Sequence, residues 1–207
     1  MSENKKKILK EVGEWIVAFV IAYFIYILIN YYLGTISGVK QESMYPTAKE
    51  GQKVIIQRPT LFKKELKRGM ILTCEAPLPY SKQDEDKIAN YEEKTGLDAI
   101  TYNVLGINKK TFIKRLIGLP GDKLKIDING NVEINGEKYP EIYLNPNGGE
   151  LNGNYMDLTV PEGSVFLMGD NRSRSKDCRE FGCIPIDKIN GYILGRIWPL
   201  NKIGKID

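Results

Sequence analysis

Thr111-Phe112-Ile113-Lys114-Arg115-Leu116-Ile117-Gly118-Leu119-Pro120-Gly121-Asp122 decides how this chain is read. Alternation puts Phe112, Lys114 and Leu116 on one face of a strand and Ile113 and Ile117 on the other, and Pro120-Gly121 stops it. A lysine in such a run is either an edge residue snorkelling to water or a buried amine whose charged form desolvation disfavours. Arg115 points the opposite way and reads as a paired structural cation.

Working outward, Glu42-Ser43-Met44-Tyr45-Pro46-Thr47 offers a serine. Tyr45 precedes proline and avoids helical angles, so Ser43 is expected on an exposed turn. A lone turn serine is more often a solvated bystander than a nucleophile. The chain contains no histidine, which rules out a Ser-His-Asp arrangement within one chain and leaves a lysine as the base that would activate a serine.

Lys53 to Gln57, Met70 to Thr73, Ser164 to Met168 and Gly191 to Trp198 are short apolar runs rich in β-formers and read as strands. Lys123 to Val132 alternates and turns at Asn129-Gly130, and Val132-Glu133-Ile134 leads into a second turn at Asn135-Gly136. Asn-Gly pairs between alternating runs signal hairpins, which sets residues 123–160 apart as a smaller inserted β subdomain. Residues 75–108 are polar, admit a short helix over Ile88 to Leu97, and read as a surface elaboration.

Residues 1–12 carry Lys5, Lys6, Lys7 and Lys10 ahead of a charge-free run from Trp15 to Leu33. About 19 helical residues span about 28 Å, close to a bilayer core. The span is placed at residues 13–34, with residues 1–12 cytoplasmic by the positive-inside rule and Tyr31 and Tyr32 at the far interface. A cleaved secretory signal ending near Thr35-Ile36-Ser37-Gly38 is the competing reading, and the apolar run exceeds the about 7–15 residues of a signal core. A buried soluble helix fits less well, because the run is apolar on every face.

The 207 residues are enough for a real core, and 30 basic against 26 acidic residues leave no basic face for nucleic acid. Cys74, Cys178 and Cys183 are odd in number, so disulfides are not the framework; Cys178 and Cys183 are read as more often free than bridged. Without histidine or closely spaced cysteines no metal site is expected, and no cofactor is called for.

Ser43 to Thr47, Phe112 to Asp122 and Gly169-Asp170-Asn171-Arg172-Ser173-Arg174-Ser175-Lys176-Asp177-Cys178-Arg179-Glu180-Phe181-Gly182 resemble, in order, the three sequence boxes of type I signal peptidases. The resemblance implies a mainly β fold: a transmembrane helix, then an antiparallel β catalytic domain over 35–122 and 161–207 carrying the inserted subdomain. It implies a Ser43 nucleophile, a Lys114 base contacted by Ser175, an Asp170–Arg115 pair and an Asp177–Arg179 pair. Some relatives place a serine two residues before the nucleophile; here Gln41 stands there, and Gln41, Met44 and Phe112 are the candidates for the oxyanion and substrate pocket. Arg68-Gly69-Met70 departs from the family's acidic residue after the glycine. Implied partners are signal-peptide-bearing preproteins and the lipid bilayer, with the catalytic domain outside the cell. A self-cleaving Ser-Lys regulator and a non-catalytic tethered β binding module are the alternatives.

Overall fold

The computed structural model describes residues 3–59, 65–78, 88–103, 109–144 and 155–206. Helix α1, Glu3–Tyr32, is long and apolar enough to cross a membrane, and no residue of it is buried against the rest of the chain. It begins ten residues before the expected span, because the lysines, glutamates and leucine of the first turns are good helix formers and nothing interrupts them. It also ends earlier than expected, since Gly34–Gly38 forms strand β1. The small residues of the candidate cleavage site are therefore hydrogen-bonded in a sheet, Thr35 opposite Ile56 and Ser37 opposite Val54.

The remaining strands are β2 (Lys53–Gln57), β3 (Ile71–Glu75), β4 (Thr111–Gly118), β5 (Lys123–Ile126), β6 (Val132–Ile134), β7 (Glu137–Lys138), β8 (Met156–Thr159), β9 (Ser164–Met168), β10 (Ile184–Pro185) and β11 (Ile189–Trp198). Among the described residues they form a seven-stranded sheet, β1-β2-β11-β3-β4-β9-β10, and a four-stranded one, β7-β6-β5-β8. Every pairing is antiparallel. The second sheet lies wholly within residues 123–160. Asn135 (φ 54°) and Gly136 (φ 88°) make its β6–β7 turn with the left-handed backbone that Asn-Gly favours.

Helix α2 is Gly96–Asn103 rather than the expected Ile88 to Leu97. The backbone at Ile88 to Asn90 is committed elsewhere: Ala89 N donates to Cys183 O, and Asn90 O accepts from Leu78 N, both at 2.8 Å. The parts of the 75–108 elaboration at 79–87 and 104–108 lie outside the described residues. Cys74, Cys178 and Cys183 are buried and lie in no disulfide.

Two apolar clusters position the site. The larger joins the sheets through Leu72, Leu116, Leu124, Ile126, Phe166 and Leu167. The smaller packs Val39, Met44, Ala48, Val54, Ile56 and Ile71, with Ile113 against it. Strand β4 runs between them, so Lys114 is enclosed from both sides. Burying Met44 to 1% exposure contributes about 1.5–3 kcal/mol and fixes the turn that carries its neighbour Ser43.

Candidate active site

Ser43 sits in a 3-10 turn, Glu42–Met44, that ends where Tyr45 becomes extended (φ −68°, ψ 138°) ahead of Pro46. The turn is buried, contrary to the exposed loop expected of it: Ser43 is 6% exposed because β4 and the loop after β9 close over it. Lys114 Nζ donates to Ser43 Oγ at 2.8 Å. Lys114 is 1% exposed. Its ammonium lies 5.2 Å from the centre of the Phe112 ring, which stacks on Phe181. Burial holds the Lys114 amine below the ordinary lysine range; Asp177 opposes that and Arg179 adds to it. Cys74, which shares the neighbourhood, stays a neutral thiol, because burial pushes it up to about 12.

The Gly169-Asp170-Asn171 loop grips the serine turn through its backbone. Asn171 N donates to Ser43 O at 3.0 Å, and Asn171 Nδ2 to Glu42 O at 3.1 Å. Arg115 Nε and Nη2 form a fork on Asp170 at 2.8 and 2.7 Å, and Thr47 Oγ1 donates to the same carboxylate at 2.5 Å. Asp177 receives Arg179 Nε at 2.8 Å and Gly169 N at 2.9 Å. Burial would raise the Asp177 carboxyl, and the Arg179 hydrogen bond and charge outweigh it, so the group is held below its ordinary value.

Ser175 is not hydrogen-bonded to Lys114. Its Oγ is buried and makes no well-formed hydrogen bond among the described residues, although it lies near enough to Asp177 to help hold that carboxyl down; the 3-10 turn Arg172–Arg174 delivers it against the Cα of Gly169. A Cβ at Gly169 would lie 2.2 Å from Ser175 Oγ and 2.5 Å from both Ser175 Cβ and Ser43 O. Gly169→Ala is therefore expected to displace the serine turn and lower kcat/KM by about 100-fold or more, as a shift of about 1 Å at reacting atoms does. Steady-state kinetics on folded protein checks this.

Gln41, Met44 and Phe112 all line a cleft of about 410 Å³ that opens on Ser43 and runs between Ser37 to Gln41 and Lys109 to Ile113. Two parts of the site carried no sequence expectation. Thr47 completes the Arg115–Asp170 pair, and Arg172, which donates from Nε to Gly169 O at 3.1 Å, is itself paired with Glu141 in a buried salt bridge. Hydroxyls and charges at such separations leave no local pattern to read. Arg68, two residues before the Met70 that departs from the family pattern, pairs with Asp122.

A serine hydroxyl hydrogen-bonded to a buried lysine on an antiparallel β framework defines the serine endopeptidases that use an amine in place of histidine. A family model described as signal peptidase, peptidase S26, matches residues 12–198. Signal peptidase I of Bacillus licheniformis is 32% identical over 214 residues, covering 100% of this chain and 97% of its own. Signal peptidase IB of Staphylococcus aureus (strain COL) is 29% identical over 93% of both chains. A crystal structure of a signal peptidase I from Enterococcus faecalis V583 is 26% identical, covers 62% of this chain and 97% of that one, and superposes with a TM-score of 0.41. The chain belongs to the signal peptidases of peptidase family S26, serine endopeptidases that remove signal peptides. Its N-terminal apolar helix is that of a membrane-anchored member.

Proposed function

We propose that Ser43 is the nucleophile and Lys114 the general base of signal-peptide removal, a reading carried by the 2.8 Å contact between Lys114 Nζ and Ser43 Oγ in a dry setting. Neutral Lys114 takes the Ser43 proton as Oγ adds to the scissile carbonyl, and returns it to the departing amine. The resulting acyl-enzyme is hydrolysed by water that the same amine deprotonates. The oxyanion is held by backbone N–H at the serine turn, with the Gln41 side chain as a second donor. Asp170, Arg115, Asp177 and Arg179 are positioning residues that hold the loops around the pair, and Ser175 packs beside it. No metal or organic cofactor takes part.

The substrate is a translocated preprotein whose chain lies along the Met44 and Phe112 cleft. α1 crosses the bilayer with its lysine-rich N-terminus in the cytoplasm and the β domain on the extracytoplasmic face. Nucleic acid is not a partner. The deciding experiment is cleavage of a model preprotein by wild type and Ser43→Ala, where persistent cleavage by folded Ser43→Ala would sink the reading and turnover only of the chain itself would favour a self-cleaving regulator.

The rate should also carry the signature of the amine. Lys114 is useful only when neutral, and burial lowers its pKa, so kcat/KM is expected to climb along one limb from acid toward alkaline pH, with its midpoint below the about 10.4 of free lysine. A flat profile, or a limb at the free-lysine value, would remove Lys114 from the role.

A further inference from the structure

Antiparallel alternation brings four strand ends to one edge of the large sheet: the end of β2, the start of β11, the end of β3 and the start of β4. α1 joins the domain at this edge, where Arg58 N donates to Leu33 O at 3.3 Å and Gly34 pairs with Gln57. The strand ends carry Arg58, Lys109 and Lys188. Glu75, the carboxylate set among them, is already engaged by Lys109 Nζ at 3.5 Å and by the Tyr102 hydroxyl at 2.8 Å. Lys188 lies over the Tyr91 ring at 5.0 Å, and Arg58 Nη1 donates to Asn190 O at 3.3 Å.

Arg58 Nε is buried and makes no hydrogen bond among the described residues. An unused guanidinium donor costs free energy unless an acceptor reaches it. Arg58 and Lys188 both lie close enough to Lys109 for their charges to repel it, while burial is the main influence lowering Lys109. Asp187, beside Lys188, acts on the same Tyr91 ring, so Arg58, Lys109 and Lys188 stand against Glu75 and Asp187, and the positive charge left over calls for an anion from outside the chain. The guanidinium fork suits phosphate oxygens, with lysine as a point charge beside it.

We propose that this edge binds the phosphate of an anionic lipid headgroup. The source follows from where the edge lies: Tyr31 and Tyr32 end the helix, with ring centres 4.9 Å apart, as aromatic side chains do at the level of headgroups. A lipid phosphate at that level is delivered to Arg58 at high local concentration, and cationic side chains near an anionic surface are drawn to it. Bound there, the lipid holds the sheet edge against the bilayer and sets the part of the cleft lined by Lys109 near the membrane surface. The inference rests on α1 crossing the bilayer, and it does not depend on Ser43 or Lys114 being catalytic.

The test uses the full-length protein in phosphatidylcholine vesicles containing spin-labelled phosphatidylglycerol or spin-labelled phosphatidylcholine. Wild type is expected to immobilise phosphatidylglycerol in preference, and Arg58→Gln/Lys188→Gln to weaken that preference by about thirty-fold, equivalent to about 1 kcal/mol for each cation lost. Lys188→Gln alone, which leaves the Asn190 contact of Arg58 intact, is expected to weaken it by about fivefold. Lys123→Gln/Lys125→Gln, at the other sheet, should leave it unchanged. Equal immobilisation of both lipids by wild type would overturn the proposal, as would a preference that the double variant keeps. Abolition by millimolar inorganic phosphate would also overturn it, in favour of a free-anion site. Loss of preprotein cleavage with lipid preference intact would instead count against the protease assignment and leave the lipid site standing.

Discussion

Lys114→Met is expected to abolish preprotein cleavage while making the folded protein more stable. The two effects have one cause. The amine is buried between two apolar clusters, where its charged form is disfavoured, and its loss of charge is what lets it accept the Ser43 proton. In the unfolded chain Lys114 keeps its proton up to about pH 10.4. In the folded chain it releases it at lower pH, so between the two values the unfolded state binds more protons and stability rises with pH. The cost to the native state is therefore full below the folded pKa, shrinks as pH rises between the two values, and is gone above the unfolded one. Methionine is close in volume and carries no charge. It removes that cost, against which stands the roughly 1 kcal/mol lost with the hydrogen bond to Ser43 Oγ.

Cleavage should fall by about 10^4-fold or more, the scale on which removing a member of a nucleophile–base pair acts. Lys114→Arg is expected to be as inactive at every pH, because guanidinium does not release its proton, and to be less stable than wild type. The measurements are kcat/KM on a preprotein and Tm at neutral and alkaline pH. A Lys114→Met protein with a lowered Tm at neutral pH, or one whose gain in Tm persists above pH 10, would contradict the account of the buried amine.

Much of this arrangement is legible from local pattern, and the limit falls where contacts become remote. The β4 strand was readable because alternation and Pro120-Gly121 are local, and the β6–β7 hairpin because Asn135-Gly136 specifies its own turn. Ser43 and Lys114 are 71 residues apart. No periodicity joins them, and only the absence of histidine and the family resemblance made the pairing readable. Thr47 to Asp170 spans 123 positions and Glu141 to Arg172 spans 31. Such partners are selected by tertiary packing, so neither could be inferred from spacing. The misplaced elaboration helix has the same origin: Ile88 to Asn90 are helix-compatible in isolation and are drawn into extended backbone by Cys183 and Leu78. The exposure expected of Ser43 failed because turn chemistry describes a turn and not what later packs on it.

Asp170→Ala is expected to cost about 3–5 kcal/mol of stability, the largest loss to be expected from a single substitution near the site. Arg115 is buried to 4% side-chain exposure and Asp170 to 0%, so removing the carboxylate strands a guanidinium that water cannot reach. Burial would lower Arg115, but the hydrogen bond and charge of Asp170 raise it on balance. The arginine therefore has no neutral form to retreat to. Its remaining partners among the described residues are Gly69 O at 2.9 Å, Thr47 Oγ1 at 3.4 Å and the Tyr143 ring at 3.9 Å, none of which carries a compensating charge. For a chain of this size the loss corresponds to a fall in Tm of about 6–20 °C. Asp170 stands between Gly169 and Asn171, which hold Ser43 from behind, so kcat should fall as well, even at temperatures where the variant is folded. Replacing both partners with apolar residues, Arg115→Met with Asp170→Leu, should recover most of the stability, since the expense lies in the unpaired charge and not in losing the pair. Recovery of stability without recovery of kcat is the expected outcome of that double variant. A single Asp170→Ala variant that melts with wild type would show that the Arg115 charge finds solvent, and would refute the burial argument.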